Sequence, residues 1–449
     1  MAGGTWTVQN KVRPGVYINF DSTSQTGLTI GTRGVVAICE PMSWGAVGQV
    51  MTVNAGSDTT PYCGYPIYEP GAQFLNEIFK GTNRTNPPTT VLLYRPAADS
   101  SVQATATTGS LTATALYPGA RGNDITIVIT EDVDNEGTFI VQTVVDGAVV
   151  DSQSVTQIQN LVANNWVTFS GTGAPSETAG VPLTSGADGT VQAAAYTTFL
   201  SAIEAYDFDI LIYDGTDSTT QAAMVNFVER LATTQGKYAQ LVAYNLTTPP
   251  NNQYVINVSG DVTGVNLNDG TQITGGQMCW WVGGAQAGAN YNESLTYAQY
   301  PGAISVTPAL TNDQITAALQ AGELVLTAQN NTVFIEWDIN SLTTYTAQYS
   351  ESYHKNRVMR TLSTIANDIY AQFSANYIGV VNNNEEGRNL FKGAIVGYLL
   401  DMQANNAIQN FTADDVTVSA GESIDSIVIN LTIQPVDAVE KVYLTITVA

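Results

Sequence analysis

His354 is the single histidine of this 449-residue chain. A serine or cysteine nucleophile that relies on imidazole would therefore have to use it. It stands in "SYHKNR", and no GxSxG elbow occurs anywhere in the sequence. Its expected place is the flank of a helix. Neither HExxH nor GxxxxGK[ST] is present. The glycine-rich "GGAQAG" (283–288) has no basic neighbour to help hold a phosphate, and a plain loop is expected there. Asp132, Asp134, Glu136 and Gly137 imitate the opening of a calcium loop, but the twelfth position is Thr143, where a bidentate carboxylate is required. A hairpin turn is expected instead. Asp207 and Asp209 flank a strand, a setting for capping or solvated carboxylates. Cys39, Cys63 and Cys279 form no CxxC and are expected to be buried apolar residues. These readings predict no catalytic residue, no metal site and no cofactor.

The charges are sparse and one-sided. Lys plus Arg number 15 against 39 Asp plus Glu, for a net charge of −24, yet charged residues make up only 12% of the chain. A chain without a basic stripe is not built to displace counterions from nucleic acid or to sit on anionic lipid. Low charge density suits subunits that pack against copies of themselves, because each buried charge costs desolvation. Six of the fifteen cations, Lys355, Arg357, Arg360, Arg388, Lys392 and Lys441, fall in the last quarter. They are expected either to pair locally or to form a face for an acidic protein partner. No basic-then-apolar leader and no run of 18 apolar residues is visible, so synthesis in a cytosol is expected.

The elements divide the chain into five stretches. Residues 1–20 read as a polar arm and a first strand, in which Val16, Ile18 and Phe20 alternate with polar neighbours. Residues 21–96 carry the strands "GVVAICE" and "TTVLLYRP" around a helix at 70–80. In 97–186 helical periodicity disappears, and "ITIVIT" and "TFIVQTVV" flank an acidic turn, the pattern of a β hairpin in an inserted β domain. Residues 187–340 alternate helices with the buried strands "FDILIYDG" and "YAQLVAYN", the rhythm of a parallel or mixed sheet covered by helices. Thr311 is a predicted N-cap, and a hairpin is predicted to turn at Gln329–Asn331. Residues 341–449 read as an α+β domain. One helix carries Val358, Leu362, Ile365, Ile369 and Phe373 on a stripe, and a second is predicted to bury Leu390, Ile395, Tyr398 and Leu399. Two strand patterns close the chain, "IDSIVINLTIQP" and "KVYLTITVA". The fold class is thus a multidomain α/β and α+β chain.

Four stretches together resemble one family: "KVRPGVYINF", "YPGARGNDITIVI" (117–129), "TNDQITAALQAGELVLT" (311–327) and "PVDAVEKVYLTITVA". The chain resembles contractile-tail sheath proteins of myophages, defective prophages and phage-tail-like bacteriocins of Gram-positive bacteria. That resemblance implies a structural subunit and no enzyme. Its copies would stack as six-fold rings around an inner tube and contract to drive the tube through a target envelope. It implies as partners the chain itself, a tube protein, and baseplate and terminator proteins, within a particle assembled in the host bacterial cytoplasm. It also implies a C-terminal sheet completed by arms of neighbouring subunits. The arm residues would be Thr5, Trp6, Val8, Val12, Val442, Leu444, Ile446 and Val448, with 21–27 and 433–438 as hinges. The acceptor residues would be Val416, Val418, Ile427, Ile429, Leu431 and Ile433. Lys355, Arg357, Arg360, Arg388 and Lys392 would face the tube. Other tail components, such as a tube or baseplate protein, and an enzyme with an α/β core are the alternatives.

Overall fold

A computed structural model describes residues 28–248 and 250–448, together with the backbone of 2–4 and 15–17. Short strands at Ala2–Gly4 and Gly15–Tyr17 pair in parallel with each other. The arm residues Thr5, Trp6, Val8 and Val12 lie outside the described residues.

The centre is a seven-stranded sheet. Its strands are β1 (Val35–Cys39), β2 (Val50–Asn54), β3 (Thr90–Tyr94), β4 (Ile210–Tyr213), β5 (Gln240–Tyr244), β6 (Val255–Val258) and β7 (Glu323–Leu324). They lie in the order β7-β6-β5-β4-β1-β3-β2, and every pairing is parallel except the antiparallel edge strand β2. The central strands are buried on both faces, which is why they read as continuous apolar runs rather than alternating ones. One face packs α1 (Ala193–Ile203) and α2 (Ser218–Arg230) through Phe199, Ile203, Met224 and Val228. Asp217 caps α2 by accepting from the Thr220 amide.

The opposite face packs α3 (Met278–Gly288), whose Trp281 is fully buried and stacked on Tyr300 at 4.1 Å. This helix contains "GGAQAG", where a plain loop was expected. The glycines are there for proximity: a Cβ on Gly284 would lie 2.1 Å from the Ile78 carbonyl oxygen, and one on Gly283 would lie 2.4 Å from Ile212 Cγ1. Close packing outweighs the roughly 1 kcal/mol that each helical glycine costs.

Between β3 and α1 the chain builds a separate β sandwich. A four-stranded sheet orders Ala148–Val155, Phe139–Val145, Ile125–Glu131 and Thr178–Pro182, and a three-stranded sheet orders Val167–Ser170, Leu111–Ala115 and Thr105–Thr108. The acidic turn at 132–135 closes on itself, with Asp132 accepting from the Asp134 amide and from Asn135. Arg121 fastens the sandwich to the central sheet's loops. Its guanidinium lies 4.1 Å from the Tyr65 ring, donates to Gly64 O, and pairs with Asp146 and Asp124.

The last unit packs α4 (Asn356–Asn376) and α5 (Glu385–Ala404) against an antiparallel ribbon of β8 (Val416–Ala420) and β9 (Ile427–Leu431). Asn384 caps α5 at the Gly387 amide, and Glu385 and Glu386 occupy its first turn. Ile395, Tyr398 and Leu399 are buried as predicted, but Leu390 is 41% exposed. Phe391 takes its place in the core, against Phe373 and Tyr377.

Candidate assembly interface

Two features of the last unit are unfinished within one chain. The first is the β8–β9 ribbon. Val416 is buried against α5, while Val418, Ile427, Ile429, Leu431 and Ile433 are partly buried on the same core. Val428 and Asn430 alternate outward. The ribbon has two strands, so among the described residues each keeps an outer edge without a strand partner. Along β9 runs a groove of about 320 Å³ lined by Phe373, Tyr377, Phe391, Ile427 and Ile429, with Arg388 at its wall.

The second is the stretch 441–448. Val442, Leu444, Ile446 and Val448 alternate with Tyr443 and threonines as a strand would, yet they are 77–91% exposed and join no ladder among the described residues. Four large apolar side chains in water forgo roughly 1.5–3 kcal/mol each relative to burial.

The segment leading to this stretch is held, although a hinge was expected at 433–438. The Val436 amide donates to Ala407 O, and Asp437 lies 3.6 Å from Lys355. Glu440, with a side chain 9% exposed, accepts from Thr296 Oγ1 at 2.7 Å and Trp337 Nε1 at 2.5 Å, and pairs with Lys355. The Lys441 ammonium sits 5.0 Å from the Trp337 ring.

The basic cluster is therefore dispersed. Lys355 is occupied by Glu440 and Asp437. Arg357 is half-buried and donates to Asn406 O. Arg360, expected to face a tube, is fully buried and points into the chain's own core. It pairs with Asp338 at 2.6 Å and donates to Glu293 O at 2.7 Å. Burial alone would raise the Asp338 carboxyl, but Arg360, the Leu295 amide and Gln286 outweigh it and hold it below the usual carboxylate range. Arg388 donates to Asn383 Oδ1, and neither Arg388 nor Lys392 forms an ion pair among the described residues.

The single histidine and the three cysteines have structural settings. His354 is buried beside α4, with Nδ1 2.5 Å from Leu342 O, and burial pushes its pKa down. Cys39, Cys63 and Cys279 are buried free thiols. Among the described residues no group of three His, Cys, Asp or Glu is placed to hold a metal, and no helix is long and apolar enough to cross a membrane.

Family models of the phage tail sheath match the chain in succession. They are its β-sandwich domain over 99–188, its central domain over 189–341 and its C-terminal domain over 348–449. A sheath tail protein of Desulfitobacterium hafniense with a solved crystal structure is 44% identical, the match covering 96% of this chain and 99% of that one, with a TM-score of 0.85. The chain belongs to the phage tail sheath family. It is a tail sheath protein of contractile injection systems, a structural component of a phage or phage-like tail particle. The sheath protein is also 34% identical to the phage-like element PBSX protein XkdK of Bacillus subtilis (strain 168), over the full length of both. It shares its fold with the helical sheath of the anti-feeding prophage in the contracted state. That match has a TM-score of 0.56 at 13% identity, covering 97% of this chain and 98% of the other.

Alternation marks Val442, Leu444, Ile446 and Val448 as a strand pattern, while their part as a linking arm comes from the family resemblance. The sequence missed the cage around Glu440, because Thr296, Trp337 and Lys355 come from three distant places and carry no shared spacing.

Proposed function

We propose that copies of this chain polymerise as stacked six-fold rings around an inner tube, and that the polymer shortens to drive the tube through a target cell envelope. The carrying observation is the stretch 441–448, a strand pattern with no strand partner among the described residues. Added to the outer edge of a β8–β9 ribbon in a neighbour, it would satisfy that edge with main-chain hydrogen bonds and bury its apolar face. Such bonds need no particular side chain, so they survive when subunits rotate as rigid bodies. The acceptor residues are Val416, Val418, Ile427, Ile429, Leu431 and Ile433. The N-terminal arm, Thr5 to Val12, is the second linking strand.

In this reading residues 1–20 are the linking arm, 21–96 and 187–340 form the core, 97–186 the outer β unit and 341–449 the tube-side unit. Arg388 and Lys392, which form no ion pair among the described residues, are the tube-facing cations, and the tube, baseplate and terminator proteins are the partners. The particle is assembled in the host cytoplasm, and the chain carries no catalytic activity.

Electron microscopy tests the reading. Purified full-length chain should form long hollow polymers with helical striations. A chain truncated after Glu440 should remain folded, with an unchanged melting temperature, and form none. Polymers from the truncated chain at the full-length rate would refute strand exchange.

A further inference from the structure

We infer that helix α4 acts as a gauge between the two linking arms, with Glu440 as the positioning residue that fixes where the C-terminal arm departs. The inference rests on the strand-exchange reading above.

The cage at Glu440 is a built feature. A carboxylate with 9% of its side chain exposed is approached by an indole N–H, a hydroxyl and an ammonium. Yet Val439 before it is 87% exposed and Val442 after it is 80% exposed. A nearly buried, fully engaged charge between exposed apolar residues marks the last firmly held point before the exposed stretch 442–448. The donors are not on the β8–β9 ribbon that the chain has just left. Thr296 and Trp337 belong to the central unit, and Lys355 is the N-cap residue of α4. The arm is therefore rooted at the junction of the central unit with α4, and its free length begins at Lys441.

The chain following the N-terminal arm is rooted at the other end of the same helix. Leu28 is buried against α4 and α5. The Thr29 amide donates to Gln372 Oε1 at 2.7 Å, and the Gly31 amide to Asp368 Oδ2 at 2.9 Å. Tyr398 fixes that carboxylate from behind at 2.8 Å. The fit at Gly31 is tight, because a Cβ there would lie 2.3 Å from Asp368 Oδ1. The helical rise of 1.5 Å per residue puts Lys355 and the Asp368–Gln372 pair about 20–25 Å apart. Both roots ride on one continuous helix, itself locked to the central unit by the Arg360–Asp338 pair. The spacing of the two roots, at 28–31 and at Glu440, is then a constant of the subunit, carried unchanged through any rearrangement that moves subunits as rigid bodies.

The test uses full-length chain. Glu440→Ala should leave the melting temperature of the unassembled chain within a few degrees of wild type, speed tryptic cleavage after Lys441 about tenfold, and slow polymer formation by a similar factor. Glu440→Gln, which keeps an acceptor oxygen, should recover part of both. Trp337→Phe removes one donor while keeping the packing, and should shift cleavage and assembly in the same direction. Normal cleavage and normal assembly in Glu440→Ala and Trp337→Phe, with assembly still abolished by truncation after Glu440, would overturn the gauge and leave strand exchange standing. Assembly by the truncated chain would overturn strand exchange itself.

Discussion

Glu40, just past the end of β1, faces Asp214, just past the end of the adjacent β4, and Trp280 Nε1 donates to Asp214 Oδ2 at 3.0 Å. Burial, then the neighbouring Asp214 charge, pushes the Glu40 carboxyl well above its usual range, and one of its oxygens is buried without a hydrogen-bond partner. Its folded pKa therefore exceeds its unfolded one. Below the unfolded value, about 4.3, both states are protonated and the pair costs nothing. As pH rises past that value the unfolded chain ionises freely while the folded one does not, so stability falls until the folded pKa is reached. Glu40→Gln should accordingly raise the melting temperature at pH 7–8, with the gain vanishing near pH 4; a pH series of thermal melts checks this. The Arg360–Asp338 pair has the opposite sign. Because the Asp338 carboxyl is held down, the pair's contribution is complete above the unfolded pKa and is lost as pH falls through the folded one.

At the scale of elements, α3 shows how tertiary packing overrides local preference. Met278, Cys279, Trp280, Trp281, Val282, Ala285 and Ala287 are all buried, so the helix has no polar face and little amphipathic period to read. Its glycines look like loop residues until Ile78 and Ile212 are placed against them. Gly284→Ala should cost about 1–3 kcal/mol through overpacking, measured by urea denaturation of the unassembled chain. A neutral result would mean that the C-terminal end of the helix Gln73–Ile78 yields. By contrast α4 was legible: of its predicted stripe Val358, Ile365 and Phe373 are buried, and Leu362 and Ile369 are partly buried. On α5 the exposed Leu390 beside the buried Phe391 shows the limit of that reading: adjacent apolar residues leave the phase of a helix open by one position.

At the scale of the whole molecule, the chain carries a net charge of −24 at low charge density, so self-repulsion opposes the packing of copies against one another and any assembly has to offset it. Lys355 and Arg360 are engaged in internal ion pairs, which leaves Arg388 and Lys392 on α5 as the cations proposed for an acidic partner. Arg388→Glu with Lys392→Glu should leave the monomer folded, with unchanged circular dichroism, and abolish assembly on a tube. Normal sheaths on tubes would remove both residues from that interface.

What the sequence determined by itself was whatever is written in short-range pattern. The absence of a base, nucleophile or phosphate motif, the change of texture near residue 97, the helical stripes near the C-terminus and the alternation of 442–448 are all properties of neighbours along the chain. Only the tertiary structure decided that Arg360 is an internal ion pair, that "GGAQAG" is a buried helix, and that the segments at 29–31 and Glu440 are both fastened at α4. The decisive bonds there join Thr296 to Glu440 across 144 residues and Thr29 to Gln372 across 343. Contacts of that separation are set by which surfaces meet when the units pack, and no local period encodes them.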